Sequence, residues 1–159
     1  MKISITLPDG QERTYESGIT AAEIALSIGK KLHKDSVSAL FNGKEIDITK
    51  HIDSSGSLAL VTANTPSGLE VIRHSTAHLL AHAIKELYPE PQITIGPVTA
   101  DGFYYDIDSP TQFGPPELLK LETRMREISL RNNPIKRSEG KRADAINFFK
   151  NLKENYKAE

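Results

Sequence analysis

Ile3, Ile5 and Leu7 alternate with Ser4 and Thr6, and Pro8-Asp9-Gly10 follows at once. Successive side chains of a strand point to opposite faces, so this alternation predicts a strand running into a tight turn. A second strand around Arg13–Tyr15 would complete the hairpin. Thr20-Ala21-Ala22-Glu23 has the spacing of a capping box, which predicts a helix using Ala22, Ala25, Leu26 and Ile28, with Gly29 as its stop. Val37, Ala39 and Phe41 alternate, Asn42-Gly43 is the strongest short hairpin signal, and Ile46 and Ile48 alternate again. Leu58-Ala59-Leu60-Val61 reads as a buried closing strand. Two strands, one helix and further strands within about 60 residues is the order of a ubiquitin-like β-grasp, and it contains no glycine-rich phosphate loop.

Thr62-Ala63-Asn64-Thr65-Pro66-Ser67 is polar and rich in breakers. It divides the sequence into a first domain at 1–62, a linker at 63–67 and a second domain at 68–159. Ser67-Gly68-Leu69-Glu70 has the form of another capping box, which predicts a helix running to Tyr88, before Pro89. Strands are expected at Gln92–Val98 and Phe103–Ile107, around a turn at Asp101-Gly102. Gly114-Pro115-Pro116 introduces a helix with Leu118, Leu121, Met125 and Ile128 on its apolar side, ended by Asn132-Asn133-Pro134. A short strand from Ile135 and a helix around Ala143–Leu152 complete a mixed α+β second half. The fold class is therefore α+β throughout.

The 159 residues include no cysteine. That excludes disulfides, thiolate nucleophiles and cysteine-containing zinc sites within the chain. Apolar runs are only a few residues long, far short of the roughly 20 that a membrane helix needs. Met1-Lys2-Ile3-Ser4 has no apolar stretch of the kind a signal peptide carries, so a cytoplasmic location is expected. Charge is uneven: residues 117–159 carry 11 basic against 7 acidic side chains, a net of +4, within a chain of net −1. Such a segment is either a nucleic-acid footprint or a solvated helix surface.

Three of the five histidines are His74, His78 and His82. With Ile72 at zero on a helical wheel, Leu69, Leu79, Leu80, Ala83 and Leu87 cluster between about −20° and 80°, while the histidines fall at about 200°, 240° and 280°. They lie opposite the apolar stripe, yet no Lys, Arg, Asp or Glu occurs between His74 and Ile84. Solvent faces normally carry charges, so this face is expected to be covered or to line a cleft. His-x-x-x-His places two imidazoles one turn apart, a spacing that suits a metal. Ser75 stands where a zinc protease would need its glutamate, and two ligands are few for a tight zinc site. Hydrogen-bonded histidines at a domain contact are the other reading.

His74-Ser75-Thr76-Ala77-His78-Leu79-Leu80-Ala81-His82-Ala83, Ile95-Gly96-Pro97-Val98 and Gly102-Phe103-Tyr104-Tyr105-Asp106 together resemble the start of the editing domain of bacterial-type threonyl-tRNA synthetases. Ile5-Thr6-Leu7-Pro8-Asp9-Gly10 and Phe41-Asn42-Gly43-Lys44 resemble the TGS domain that precedes it in that family. The resemblance implies hydrolysis of seryl-tRNA(Thr) made in error. Serine lacks one methyl of threonine, and one methyl gives only about 1–3 kcal/mol of discrimination. By the same resemblance His74 and His78 are the catalytic pair, and Gly96, Tyr105 and Lys157 line the aminoacyl-adenosine pocket. Gly96 would permit close approach of the ligand, and Lys157 would hold the ester oxygen or the tRNA end. His82 is expected to be a packing residue.

The family completes its site with a Cys-x-x-x-His motif, whereas this sequence has no cysteine and no histidine after His82. The resemblance therefore implies an N-terminal piece of a longer synthetase, with the second domain truncated, part of the editing pocket present and little activity alone. ATP, magnesium and zinc belong to the family's catalytic core, which is absent here, and no cofactor or metal is expected in this chain. The implied partners are tRNA(Thr) and its seryl form, with no membrane, and the family dimerises through domains not present. Two rivals remain at this stage. One is a non-enzymatic RNA-binding or regulatory TGS module using Lys136, Arg137, Lys141, Arg142 and Lys150, and the other is a two-histidine metal-binding protein.

Overall fold

The computed structural model describes residues 1–88, 90–135 and 137–158. The chain forms two compact units, Met1–Ile72 and Arg73–Glu159. In the first, strands β1 (Lys2–Thr6) and β2 (Glu12–Glu16) form the expected antiparallel hairpin. A two-residue strand β3 (Ile19–Thr20) leads into helix α1 (Ala21–Ile28). The capping box is present: the Thr20 hydroxyl accepts from the Glu23 N–H at 3.2 Å, and the Glu23 carboxylate accepts from the Thr20 N–H at 2.8 Å. These bonds to Thr20 hold the Glu23 carboxyl below its ordinary pKa. The buried face of α1 is Ala21, Ile24 and Ala25. Leu26 and Ile28, expected to be core, are exposed; Leu26 falls about 100° round the helix from Ala25, off the buried face.

A six-residue helix α2 (Lys30–Asp35) follows, then β4 (Ser36–Phe41), β5 (Lys44–Asp47), β6 (His51–Ile52) and β7 (Gly56–Thr62). Asn42 and Gly43 have φ of 50° and 74°, the left-handed pair a two-residue hairpin turn requires. The five-stranded sheet has the order β2-β1-β7-β4-β5, and β3 and β6 pair separately. Strand β1 runs parallel to β7, with Ile5 opposite Gly56. Ile3, Ile5, Ile24, Ala39 and Leu58 form the centre of the core. The β-grasp order read from the sequence is the order observed.

Helix α3 spans Pro66–Leu87. Its start differs from the expected cap at Ser67. Thr65 caps it, its hydroxyl accepting from the Gly68 N–H at 3.1 Å, with Pro66 filling the first turn, where a missing N–H costs nothing. Leu69 and Ile72 are exposed, and the second unit buries Ala77, Ala83 and Ile84 instead. The expected apolar stripe treated the helix as one face, but its first residues and its later ones belong to different units.

Strands β8 (Gln92–Ile93) and β9 (Ile107–Asp108) are antiparallel and far shorter than expected. Between them Asp106 N–H reaches Ile95 O at 2.9 Å, Val98 bridges to Phe103, and Thr99 and Gly102 close the turn. Gly96 and Pro97 break the regular ladder, since proline cannot donate. Helix α4 (Pro115–Leu130) buries Leu121 and Ile128 but leaves Leu118 exposed. No strand is present at Ile135 among the described residues; Lys136 lies outside them, as does Pro89. Helix α5 (Arg142–Asn151) and a 3₁₀ turn (Asn155–Lys157) follow.

Glu86 of α3 binds Arg131 at the end of α4 through two bonds, of 2.5 and 2.9 Å, and His82 and Arg124 stand 3.4 and 3.8 Å from the same carboxylate. The hydrogen bond from Arg131, then the surrounding positive charges, hold Glu86 below the ordinary carboxylate pKa. A depressed carboxylate contributes stability above its unfolded pKa and loses it as pH falls through its folded value. Arg131→Ala is therefore expected to lower the thermal midpoint at about pH 7, and by progressively less as pH falls and Glu86 takes up a proton. Melting curves of both proteins across that pH range check this.

Candidate functional site

A helix places residues four apart on one side, one turn above each other. His74 and His78 accordingly stack edge to face, with ring centroids 4.6 Å apart and planes at 78°. Their Nε2 atoms are 3.0 Å apart. One of those nitrogens must carry hydrogen and the other must not, so the pair shares a single proton along that line. Both rings are exposed, while Ala77 between them is buried and ties this part of the helix to its unit. The packing around His78, followed by the charges of His74 and Lys157, holds its pKa below the ordinary imidazole value. His78 is thus a free base at neutral pH. His82 faces Glu86 and takes no part in the pair.

Lys157 ends the 3₁₀ turn, with its Nζ 6.0 Å from the centre of the Phe149 ring. No hydrogen bond or ring contact joins Lys157 to His74 or His78 among the described residues. Two bonds attach this turn to the β8–β9 pair. Asn155 N–H donates to Gln92 Oε1 at 3.1 Å, and the Tyr156 hydroxyl donates to Asp108 Oδ2 at 3.0 Å.

Gly96 and Tyr105 form a second grouping. A Cβ on Gly96 would lie 2.5 Å from Cδ2 and Cε2 of the Tyr105 ring. The space left by the missing side chain is thus filled by Tyr105 across the irregular hairpin. Tyr105 also packs against the second unit's core, and burial raises its phenol pKa. No hydrogen bond or ring contact links Tyr105 to either histidine among the described residues.

Among the described residues, no group of three or more His, Asp or Glu side chains is placed to hold a metal ion. A depression of about 490 Å³ along α4 is lined by Leu79, Met125 and Leu130 among others and includes no histidine. Arg137, Lys141, Arg142 and Lys150 are exposed, and Arg137 is ion-paired with Glu139; Lys136 lies outside the described residues. Sequence reasoning missed Lys85 and Glu154, which form an ion pair of 2.6 Å. A signal was available. Lys85 stands seven residues after His78, two turns on and within about 20° of it, and is the first charge to follow the uncharged histidine stretch.

Residues 3–62 match the model of the TGS domain. The chain is 46% identical over 155 residues to the threonine–tRNA ligase of Polynucleobacter necessarius, covering 98% of this chain and 24% of that protein. It is 48% identical over 157 residues to the Burkholderia multivorans threonine–tRNA ligase, covering 99% and 25%. The Paraburkholderia phytofirmans enzyme of the same name is 47% identical over 157 residues, again covering 99% and 25%. The chain thus spans about a quarter of the length of the curated relatives it matches. No helix among the described residues is long and apolar enough to cross a membrane. Residues 3–62, within the β-grasp first unit, thus match the TGS domain, and the chain is similar over nearly its whole length to the N-terminal region of bacterial threonine–tRNA ligases.

Proposed function

We propose that this chain supplies the TGS domain and the histidine-bearing part of the editing pocket of a threonine–tRNA ligase, which hydrolyses serine wrongly esterified to tRNA(Thr) in the cytoplasm. The observation that carries the reading is the one-proton His74–His78 pair, its Nε2 atoms 3.0 Å apart. When the two rings part, a water that replaces their direct Nε2–Nε2 bond meets one N–H that orients it and one bare nitrogen that takes its proton. The water oxygen attacks the seryl carbonyl, the bond to the ribose oxygen breaks, and that oxygen receives the proton as it leaves. The Lys157 ammonium stabilises the oxyanion formed on the way or holds the phosphate of the tRNA end. Tyr105, fixed against Gly96, forms an apolar wall for the terminal adenosine.

The test uses a chimera in which this chain replaces the corresponding N-terminal region of the Burkholderia multivorans enzyme. Joint replacement of His74 and His78 by alanine is expected to slow deacylation of seryl-tRNA(Thr) roughly a hundredfold, within the range of positioned proton transfer, and to leave threonylation intact. Unchanged hydrolysis overturns the assignment.

A further inference from the structure

The hairpin that carries Gly96 and Tyr105 changes register along its length. Ile93 pairs with Ile107 but Val98 pairs with Phe103, so five steps along one strand lie against four along the other. The extra residue sits beside Asp106. Thr94 N–H donates to Asp106 O at 3.2 Å, while Asp106 N–H donates to Ile95 O at 2.9 Å. Two residues opposite one make a β-bulge, a device that re-aims side chains at sheet edges and beside active sites.

Side chains of a strand alternate with a period of two, so one extra residue exchanges the faces of everything beyond it. In the register continued from Ile93–Ile107, Ile95 would lie opposite Tyr105 and Gly96 opposite Tyr104. In the observed register Tyr104 N–H reaches Pro97 O at 3.3 Å, and Thr99 and Gly102 exchange bonds. Gly96 is thereby placed directly opposite Tyr105, between hydrogen-bonded pairs, where facing residues approach most closely. Both residues show the outcome. Ile95 is turned out and 61% exposed, and the Tyr105 ring lies over Gly96, its Cγ 3.0 Å from where a Cβ would stand. A ring laid over a cross-strand glycine supports the strand that the glycine weakens.

The ladder by itself does not favour this arrangement. Pro97 occupies a hydrogen-bonding position without an N–H to give, whereas in the unbulged register it would fall between bonded pairs and forfeit nothing. The bulge therefore needs a holder, and Thr94 has the means. Its hydroxyl donates to Asp106 O at 2.6 Å, beside its own N–H on the same carbonyl. We infer that Thr94 is a positioning residue: its two bonds to the Asp106 carbonyl hold the bulge, and the bulge seats the Tyr105 ring on the Gly96 backbone. The consequence for ester hydrolysis rests on the editing role proposed above, in which Tyr105 walls the terminal adenosine. The register itself is measured on this chain without tRNA.

The test is NMR on the full chain in the wild type, Thr94→Val, Thr94→Ser, and Thr94→Val combined with deletion of Ile95. Facing α-protons between bonded pairs are close enough for a strong cross-strand NOE, and the Tyr105 ring moves the Gly96 α-protons upfield. The wild type and Thr94→Ser are expected to show both signs of the Gly96–Tyr105 pair. In Thr94→Val both are expected to weaken as an Ile95–Tyr105 NOE appears, with Asp106 amide exchange about two- to tenfold faster, as for one lost hydrogen bond. Deleting Ile95 removes the extra residue, so the Gly96–Tyr105 NOE is expected to return in that background. In the chimera, Thr94→Val is expected to raise the KM for seryl-tRNA(Thr) about threefold or more with little change in kcat, and Thr94→Ser to keep it near wild type. A Gly96–Tyr105 NOE of wild-type strength in Thr94→Val overturns the proposal, as does equal loss in Thr94→Ser. If Thr94→Val alone fails to fold, the deletion variant decides, and absence of the NOE there overturns the proposal too. A chimera that hydrolyses no seryl-tRNA(Thr) removes the editing role and leaves the register standing, whereas a raised KM with an unmoved NOE removes the positioning role alone.

Discussion

Ile5→Ala is expected to destabilise the first unit by about 4 kcal/mol, near the upper part of the range for emptying a large buried aliphatic site. Ile5 has no solvent exposure and lies on β1, between β2 and β7, under helix α1. Ile3, Ile24 and Leu58 belong to the same core. Every neighbour is itself held in a strand or a capped helix, so the cavity cannot collapse cheaply. A domain of about 60 residues buries a smaller fraction of its surface than larger domains do, roughly 60%, and is marginal to begin with. Urea unfolding followed through amide resonances of β1 and β7 should show the transition moving to much lower denaturant, with resonances of Arg73–Glu159 unaffected. A midpoint within experimental error of wild type would mean that the core is not centred on this residue.

Gly68→Ala sets two effects against each other. Helix propensity alone favours alanine by about 1 kcal/mol. A Cβ at Gly68, however, would collide with the carbonyl oxygen of Thr62, lie 2.7 Å from its carbonyl carbon and stand 3.1 Å from the Thr65 hydroxyl oxygen. Thr62 O cannot move aside easily, because it accepts from Thr65 N–H at 3.0 Å and from the Thr65 hydroxyl at 2.8 Å. The expected net result is a loss of about 2–3 kcal/mol, as for other overpacked sites. Loss of the Thr65 cap should appear as faster exchange of the Gly68 and Leu69 amides. A gain in stability would show that propensity decides at this position.

The first unit was legible where residue type and backbone geometry agree. Thr20 with Glu23 can satisfy two helix-end donors at once, and Asn42-Gly43 tolerates the positive φ that its turn demands. Helix α2 was not legible, because Lys30–Asp35 contains only Leu32 as an apolar residue and has no periodicity to read. The β3–β6 pair was missed for a related reason: two-residue strands are too short for an alternation. In the second unit, spacing alone brought His74 and His78 together, because four residues make about one helical turn. The partner of Lys85 lies 69 residues away in sequence, and its approach depends on an unfavourable left-handed Lys153. Local pattern contains no trace of such a contact. Gly96 was read as space for a ligand, but whether that space is filled by ligand or by Tyr105 is decided by a hairpin register that a proline-interrupted stretch does not specify.

The parallel contact between β1 and β7 also orders events in time as the protein is synthesised. Ile5 meets its partner Gly56 only after 51 further residues have been added. At roughly 5–20 residues per second that is a delay of about 3–10 s. During it the β1–β2 hairpin has nothing on its inner edge, and an isolated two-stranded hairpin is at best marginally stable. The nascent chain therefore carries an open, apolar strand edge for seconds before the sheet can close. Crowded ribosomes or slow codons upstream of Gly56 would lengthen that exposure, making chaperone occupancy of the hairpin a rate-dependent feature of its biogenesis.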